Sequence, residues 1–292
     1  MWKLRDRNLF LAPAVIVLGL LGIAPLLYAI NVSLRQFNIA KPSLGFEWNG
    51  FANYVSVFQD GYFWGALLLT AKFLLLTVPV QFALGLGIAL LLHRQDWPFL
   101  RAIARVALVI PLATTPAVVG LIGRLGFDSD FGLANWVVTV FGGDKITWLG
   151  DPNLALFAVA FMETWQWTPF FALVMLASLS AVPQDAFEAA TLETDRRWLL
   201  FRYVEWPYLL PGLTAVLILR TADVMKLFDS VYVMTRGGPG SATELVSIYT
   251  QRIGFRVFDQ GIAAAMALLS LVVTILLARA YIRIFYREAS AS

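Results

Sequence analysis

Four ionisable residues stand inside otherwise apolar stretches of the chain: Lys72, Glu163, Arg220 and Asp223. A charge near the middle of a bilayer costs roughly 2.5–3.5 kcal/mol on insertion scales, so each is expected to face protein or water. Arg220, Asp223 and Lys226 follow at intervals of three, which lets one helical face carry a mutually compensating row. Such a row is either a structural salt-bridged strip or part of a translocation pathway and its gate. Glu163, with Trp165 and Trp167 beside it, offers a carboxylate acceptor next to flat apolar rings, the combination that hydroxyl-rich ligands use. The two tryptophans are two apart and cannot share a helical face, so one at most lines a cavity. Arg220 and Lys226 would also suit an anionic ligand, although acids lie next to both.

Other chemistries are poorly provided for. The chain has no cysteine and one histidine, His93, which removes thiolates, disulfides and a zinc site. His93 stands beside Arg94 with no base, nucleophile or ligand set near it in sequence, and is read as interfacial. No Gly-x-x-x-x-Gly-Lys-Ser/Thr loop is present, so ATP cannot be used by that route. The net charge of +3 comes from short basic groups beside apolar spans rather than from a basic stripe interleaved with aromatics, so nucleic acid is not an expected partner. The expectation is no catalytic residue, no metal and no cofactor on this chain.

The elements that must hold these residues are membrane spans. Of 292 residues, 59% are hydrophobic and 14% charged, far more apolar than a soluble core of this size needs. About six segments reach the ~20 residues a helix needs to cross the hydrocarbon layer. They are placed at Leu9–Leu34, Phe63–Leu92, Ile103–Leu125, Leu154–Ala181, Pro207–Phe228 and Gly261–Ala278. The first is longer than a signal-peptide core and is read as a retained helix. With the N-terminus inside, cytoplasmic segments hold Lys3, Arg5, Arg7, Arg94, Arg101, Arg105, Arg196, Arg197, Arg202, Arg279, Arg283 and Arg287, and the longer outer loops have roughly half that Lys/Arg density. Both termini are therefore expected in the cytoplasm. Most tryptophans, Trp48, Trp64, Trp97 and Trp206 among them, fall at or near span ends, where an indole suits the headgroup layer. Pro79, Pro111, Pro116 and Pro169 interrupt spans and each can kink its helix. The fold class expected is all-α and polytopic, with residues 1–292 forming a single transmembrane domain.

The longest inner loop, residues 182–206, is not a plain connector. Asp185 is a good N-cap with Glu188 three residues on, and Phe187, Ala190 and Thr191 then share a face. A second helical stretch aligns Trp198, Phe201 and Val204. Two short amphipathic helices would either rest on lipid or offer a surface that a cytosolic protein grips.

Glu188-Ala189-Ala190, with Phe201, Pro207 and Pro211 at matching distances, resembles the EAA loop of binding-protein-dependent ABC importer permeases. Further motifs resemble the carbohydrate branch in order: Phe131-Gly-Leu-Ala-Asn135, Trp165-Gln-Trp-Thr-Pro-Phe170, Phe228-Asp229, Thr235-Arg-Gly-Gly-Pro-Gly240 and Gly261-Ile-Ala-Ala-Ala265. The resemblance runs from the first span to the last and is strongest to the first permease of a maltose or glycerol-phosphate type pair. It implies a cytoplasmic coupling helix in which Asp185, Phe187, Glu188, Ala189, Ala190, Glu193 and Thr194 dock on an ATPase dimer. It also implies a second permease, a periplasmic or lipid-anchored sugar-binding protein, a sugar substrate, and a place in the bacterial inner membrane, in contact with lipid. ATP and Mg would sit on the partner ATPase. Asp229, Gly237, Gly238 and Pro239 would join Glu163, Trp165, Trp167, Arg220, Asp223 and Lys226 as cavity or gate residues, although Gly237-Gly-Pro-Gly240 also reads as an ordinary turn.

One departure stands out. The family has Asp-Gly-Ala where this chain has Glu193-Thr194-Asp195. Threonine resists positive φ, so either the helix continues through Thr194 or Asp195 takes the turn. The competing function is a secondary transporter or channel working without ATPases, for which no internal repeat is evident; a membrane-embedded enzyme comes third.

Overall fold

The computed structural model describes residues 4–93 and 98–289 of the chain; Lys3, Arg94 and Trp97 lie outside them. In chain order come α1 (Leu4–Ser33), the paired β1 (Arg35–Gln36) and β2 (Glu47–Trp48), α2 (Ala52–Gln59), α3 (Gly61–His93), α4 (Pro98–Ala113), α5 (Pro116–Gly126), α6 (Leu133–Val140) and α7 (Pro152–Ser180). Then follow α8 (Gln184–Glu193), α9 (Arg197–Leu200), a π-turn (Phe201–Glu205), α10 (Trp206–Met225), α11 (Asp229–Thr235), α12 (Val246–Phe255) and α13 (Gln260–Ala289). The fold is all-α: among the described residues the strands are two residues each, paired antiparallel with Arg35 opposite Trp48. Four helical stretches are long and apolar enough to cross a membrane, Leu11–Ser33, Gly61–His93, Arg197–Met225 and Gln260–Ile284, and two bent helix pairs raise the number to six.

The third span is not the continuous helix expected over Ile103–Leu125. It breaks into α4 and α5, bent by 93°. Pro116 is the cause. It occupies the first turn of α5, where its missing amide costs nothing, while Thr115 before it is held extended at φ −66° and ψ 144°, as the residue preceding a proline must be. Pro111 and Pro79 sit inside helices that continue past them. The fifth span also differs. Its helix starts ten residues before the expected Pro207, because α9 passes through the π-turn into α10 without interruption. The second helical stretch of the inner loop is thus the start of a span rather than a separate helix along the membrane. Trp198, Phe201 and Trp206 form a ladder down it, with ring centroids 6.0 and 5.8 Å apart.

The chain divides into two compact units, one of Met1–Gly65 with Tyr249–Val272, the other of Ala66–Ile248 with Val273–Ser292. In the first, Asn53 is the hub: its amide donates to the carbonyls of Ser33 and Arg35, each at 2.8 Å. Gly261 packs so close that a Cβ there would lie 2.6 Å from the Arg35 carbonyl and 2.8 Å from the Asn53 amide, which gives the Gly261 motif a steric reason.

In the second unit Phe73, Phe171, Met175, Leu179 and Leu209 are completely buried. Lipid is as apolar as these side chains, so burying them from it drives little; close packing and polar ties hold spans together instead. Small residues permit that packing. A Cβ on Gly85 of α3 would meet the Cβ of Phe171 at 2.5 Å, and one on Gly120 of α5 would meet the Ser230 carbonyl of α11 at 2.6 Å.

Candidate functional site

α7 packs against α10, and this contact brings the predicted charges together. Arg220 Nη2 donates to Glu163 Oε1 at 2.6 Å, with both side chains 1% exposed. The guanidinium carbon lies 4.1 Å from the centroid of the Trp167 ring. Arg220 Nη1 is 3.6 Å from Asp223 Oδ2, and Lys226 Nζ is 3.1 Å from Asp223 Oδ1. Glu163, Arg220, Asp223 and Lys226 therefore form one string of alternating charge running from full burial to a lysine whose side chain is 76% exposed.

The expected row on one helix is present, but it is not what holds Arg220. Its short contact crosses to Glu163 on α7, a partner that spacing along one helix cannot reveal. Formally the string sums to zero, and Arg220 is buried with its charge paired to Glu163, so it is not a free cation for an anionic ligand, although its Nε and Nη1 make no hydrogen bond. Trp165, 38% exposed, points away from the pair that Trp167 covers, as a spacing of two requires. Both indoles lie in the middle of α7 and so depart from the span-end anchoring of the other tryptophans. Lys72 is exposed on α3.

Polar residues not singled out in the sequence make further ties between elements. Gln81 of α3 donates to the Glu163 carbonyl at 3.2 Å, and Gln166 of α7 donates to the Thr114 carbonyl at 2.9 Å. Gln166 thereby supplies a donor to the carbonyl left at the break before α5. Thr70 of α3 accepts from the Val246 amide at 2.9 Å. The signal was available: a glutamine inside an apolar span needs a partner in the protein.

The second feature is α8. It leaves α7 at 79° after a short break and buries none of its residues. Asp185 is not its N-cap. Pro183, in extended conformation at φ −61° and ψ 129°, takes that place, and Asp185 lies in the first turn without capping; proline fixes its own φ and biases Val182 against helix, so the start is set two residues earlier. Glu188 Oε1 accepts from Gln184 Nε2 at 2.7 Å, one helical turn away. α8 touches α9 and the π-turn; Phe187 and Ala190 are half-buried, whereas Thr191, which shares their helical face, is exposed, as are Asp185, Glu188, Ala189 and Glu193. Leu192 is 90% exposed.

The chain resolves the missing glycine in neither expected way. Thr194 is extended at φ −154° and ψ 137°, Asp195 is not among the residues of positive φ, and the Thr194 hydroxyl accepts from the Arg196 amide at 3.2 Å. A β-branched residue suits that extended exit.

The motifs between the spans have structural roles. Asn135 of the Phe131–Asn135 motif donates to the carbonyls of Ser129 and Ile146 at 2.9 and 2.8 Å, and its oxygen accepts from Ile146 N and Trp148 Nε1, each at 3.0 Å. Asp229 opens α11, which packs on α5. Arg236 and Gly237 are left-handed at φ 56° and 90°, and Gly238-Pro239 is cis. Thr243 closes this loop, donating to the Gly238 carbonyl at 2.8 Å and pairing with the Thr235 hydroxyl at 2.6 Å.

A polytopic helical protein with a buried polar string between spans and an exposed helix held between two of them has the make-up of a membrane permease. The chain belongs to the family of binding-protein-dependent transport system inner membrane components, whose pattern it matches over residues 12–289. It is accordingly a permease subunit of an ABC importer, a transport protein and not an enzyme, with several helices crossing the inner membrane. It is 33% identical over 279 residues to the probable ABC transporter permease y4oQ of Sinorhizobium fredii, covering 96% of this chain and 89% of that one. It is 32% identical over 279 residues to the trehalose/maltose permease MalF of Thermococcus litoralis, covering 94% and 92% of the two chains. To the sulfoquinovosyl glycerol permease SmoG of Agrobacterium fabrum it is 32% identical over 279 residues, covering 94% and 89%. In fold it is similar to a chain of a bacterial ABC transporter that imports the acidic polysaccharide alginate, with a TM-score of 0.82 at 18% identity over 97% and 96% of the two chains.

Proposed function

We propose that this permease imports a sugar or sugar derivative, pairs with a second permease to form half of the translocation pathway, and is driven by a cytosolic ATPase dimer that grips α8. The observation that carries the coupling is the geometry of α8: a helix with no buried residue, fixed between two long helices by a 79° bend on one side and an extended exit at Thr194 on the other. A push on such an element moves both spans. Phe187 and Ala190 are half-buried within the chain, which leaves the exposed Asp185, Glu188, Ala189, Leu192 and Glu193 for the partner.

Sugar as the substrate class is supported by relatives whose names give trehalose, maltose and sulfoquinovosyl glycerol, and by an import complex whose partner is an alginate pentasaccharide-bound periplasmic protein. The second permease is supported by Lys72, which is exposed on a span where acyl chains would be costly neighbours. The distribution of Lys and Arg supports cytoplasmic termini, and Asp229 with the Gly237–Pro239 loop is assigned to the outer gate. The whole chain works as one permease.

The test is co-purification of the tagged chain with its genomic neighbours, followed by ATPase and transport assays of the wild type and Glu188→Arg. Recovery of an ATPase and a second permease, with loss of coupling in the variant, supports the proposal. A chain that purifies alone and transports without ATP overturns it in favour of a secondary transporter.

A further inference from the structure

We infer that α2 is an interfacial helix, lying in the headgroup layer at the bilayer surface where α1 ends and α3 begins, with the face formed by Phe51, Val55 and Phe58 turned into lipid. The side is the outer one under the orientation proposed above, and the depth of the helix does not rest on that choice.

The helix has one occupied face and one vacant one. Asn53 and Val57 are buried, and the opposite positions Phe51, Val55 and Phe58 are 72%, 52% and 56% exposed. From Asn49 to Gln59 there is no charged residue, whereas a helix facing water carries charge on its outer side. The exposed surface continues onto a span: Phe58 packs against Trp64 in the first turn of α3 with centroids 5.8 Å apart, and Trp64 Nε1 donates to the Phe58 carbonyl at 3.0 Å. Tyr62 beside it is 73% exposed.

At its other end α2 is tied to the last turn of α1. The Tyr54 and Ser33 hydroxyls are 2.8 Å apart, and Asn53 donates to the Ser33 carbonyl at 2.8 Å. The apolar window of α1 itself is only 6% buried within the chain. α2 is thus pinned at the level where one span leaves the bilayer and the next enters it, and phenylalanine, tyrosine and tryptophan are the residues enriched at that level. A lipid surface fits this uncharged aromatic face, which continues the exposed apolar surface of the neighbouring spans.

The chain contains no cysteine, so single cysteines can be placed at Val55, Phe58 and, as a water reference in the exposed turn before β2, Ser43. Each is spin-labelled in the complete transporter reconstituted in phospholipid vesicles, with any cysteines of the co-purifying subunits replaced. Transport by each labelled variant confirms that it is folded. The expected result is more frequent collision with oxygen than with a water-soluble nickel chelate at 55 and 58, and the reverse at 43. Chelate access at 55 and 58 equal to that at 43 places the face in water and overturns the inference. Protection from both agents means a second protein chain covers it, and protection that appears only with loaded binding protein makes it a docking surface; either result also overturns it.

Discussion

Replacing Glu163 by leucine leaves a guanidinium buried without its short partner. Arg220 then keeps only the Trp167 face and a 3.6 Å approach to Asp223, and breaking a buried pair in this way costs about 3–5 kcal/mol. At about 2.1 cal/mol/K of unfolding entropy per residue, the 292 residues give roughly 0.6 kcal/mol/K, so the loss corresponds to a fall in melting temperature of roughly 5–8 °C. Arg220→Met leaves the carboxylate instead and falls in the same range. The double variant Glu163→Leu/Arg220→Met removes both charges and nearly conserves volume, and such replacements are neutral or stabilising; Asp223 retains Lys226 at 3.1 Å. The assay is thermal unfolding of all four proteins in one detergent, read as a double-mutant cycle with an expected coupling of at least about 2 kcal/mol. A double variant that melts at the sum of the two single shifts would refute the pair as an energetic unit. Transport by the stable double variant then separates a structural strip from a pathway residue: wild-type uptake fits the strip, and loss of uptake without loss of stability fits the pathway.

Three further outcomes follow from the packing. Gly120→Ala forces a Cβ to within 2.6 Å of the Ser230 carbonyl, an overpacking worth about 1–3 kcal/mol, and a thermal melt checks it; Gly87→Ala, with nothing within 4 Å, is the control that should not shift. Asn135→Ala deletes four hydrogen bonds that tie Ser129, Ile146 and Trp148 together, so protease nicking within residues 127–151 should rise while the spans stay protected. Thr194→Gly should leave ATPase coupling unchanged, because Thr194 occupies extended backbone that needs no left-handed residue; a gain in coupling would show that the wild type lacks a turn it requires.

Hydropathy alone located the spans, since a helix crossing lipid must be apolar for about 20 residues whatever it packs against. Local chemistry went further at Pro116, which can end a helix by removing a donor and restricting Thr115, although Pro111, equally visible, is carried inside α4. The chain's own residues also indicated that 182–206 holds a helix with Glu188 on it. Sequence could not say that Pro183 rather than Asp185 marks its start, nor that α9 runs on into α10, because Pro207 reads as a helix start while the π-turn before it carries the helix through.

Tertiary structure decided everything that depends on two elements meeting. Glu163 and Arg220 are 57 positions apart, Gln166 and Thr114 52, and no periodicity links such pairs. The sequence by itself determined that these charges cannot face lipid, because solvation in hydrocarbon is costly for any fold. Which partner relieves each charge was decided only when α7 packed on α10, since a hydrogen bond is set by distances of a few ångströms and not by residue type.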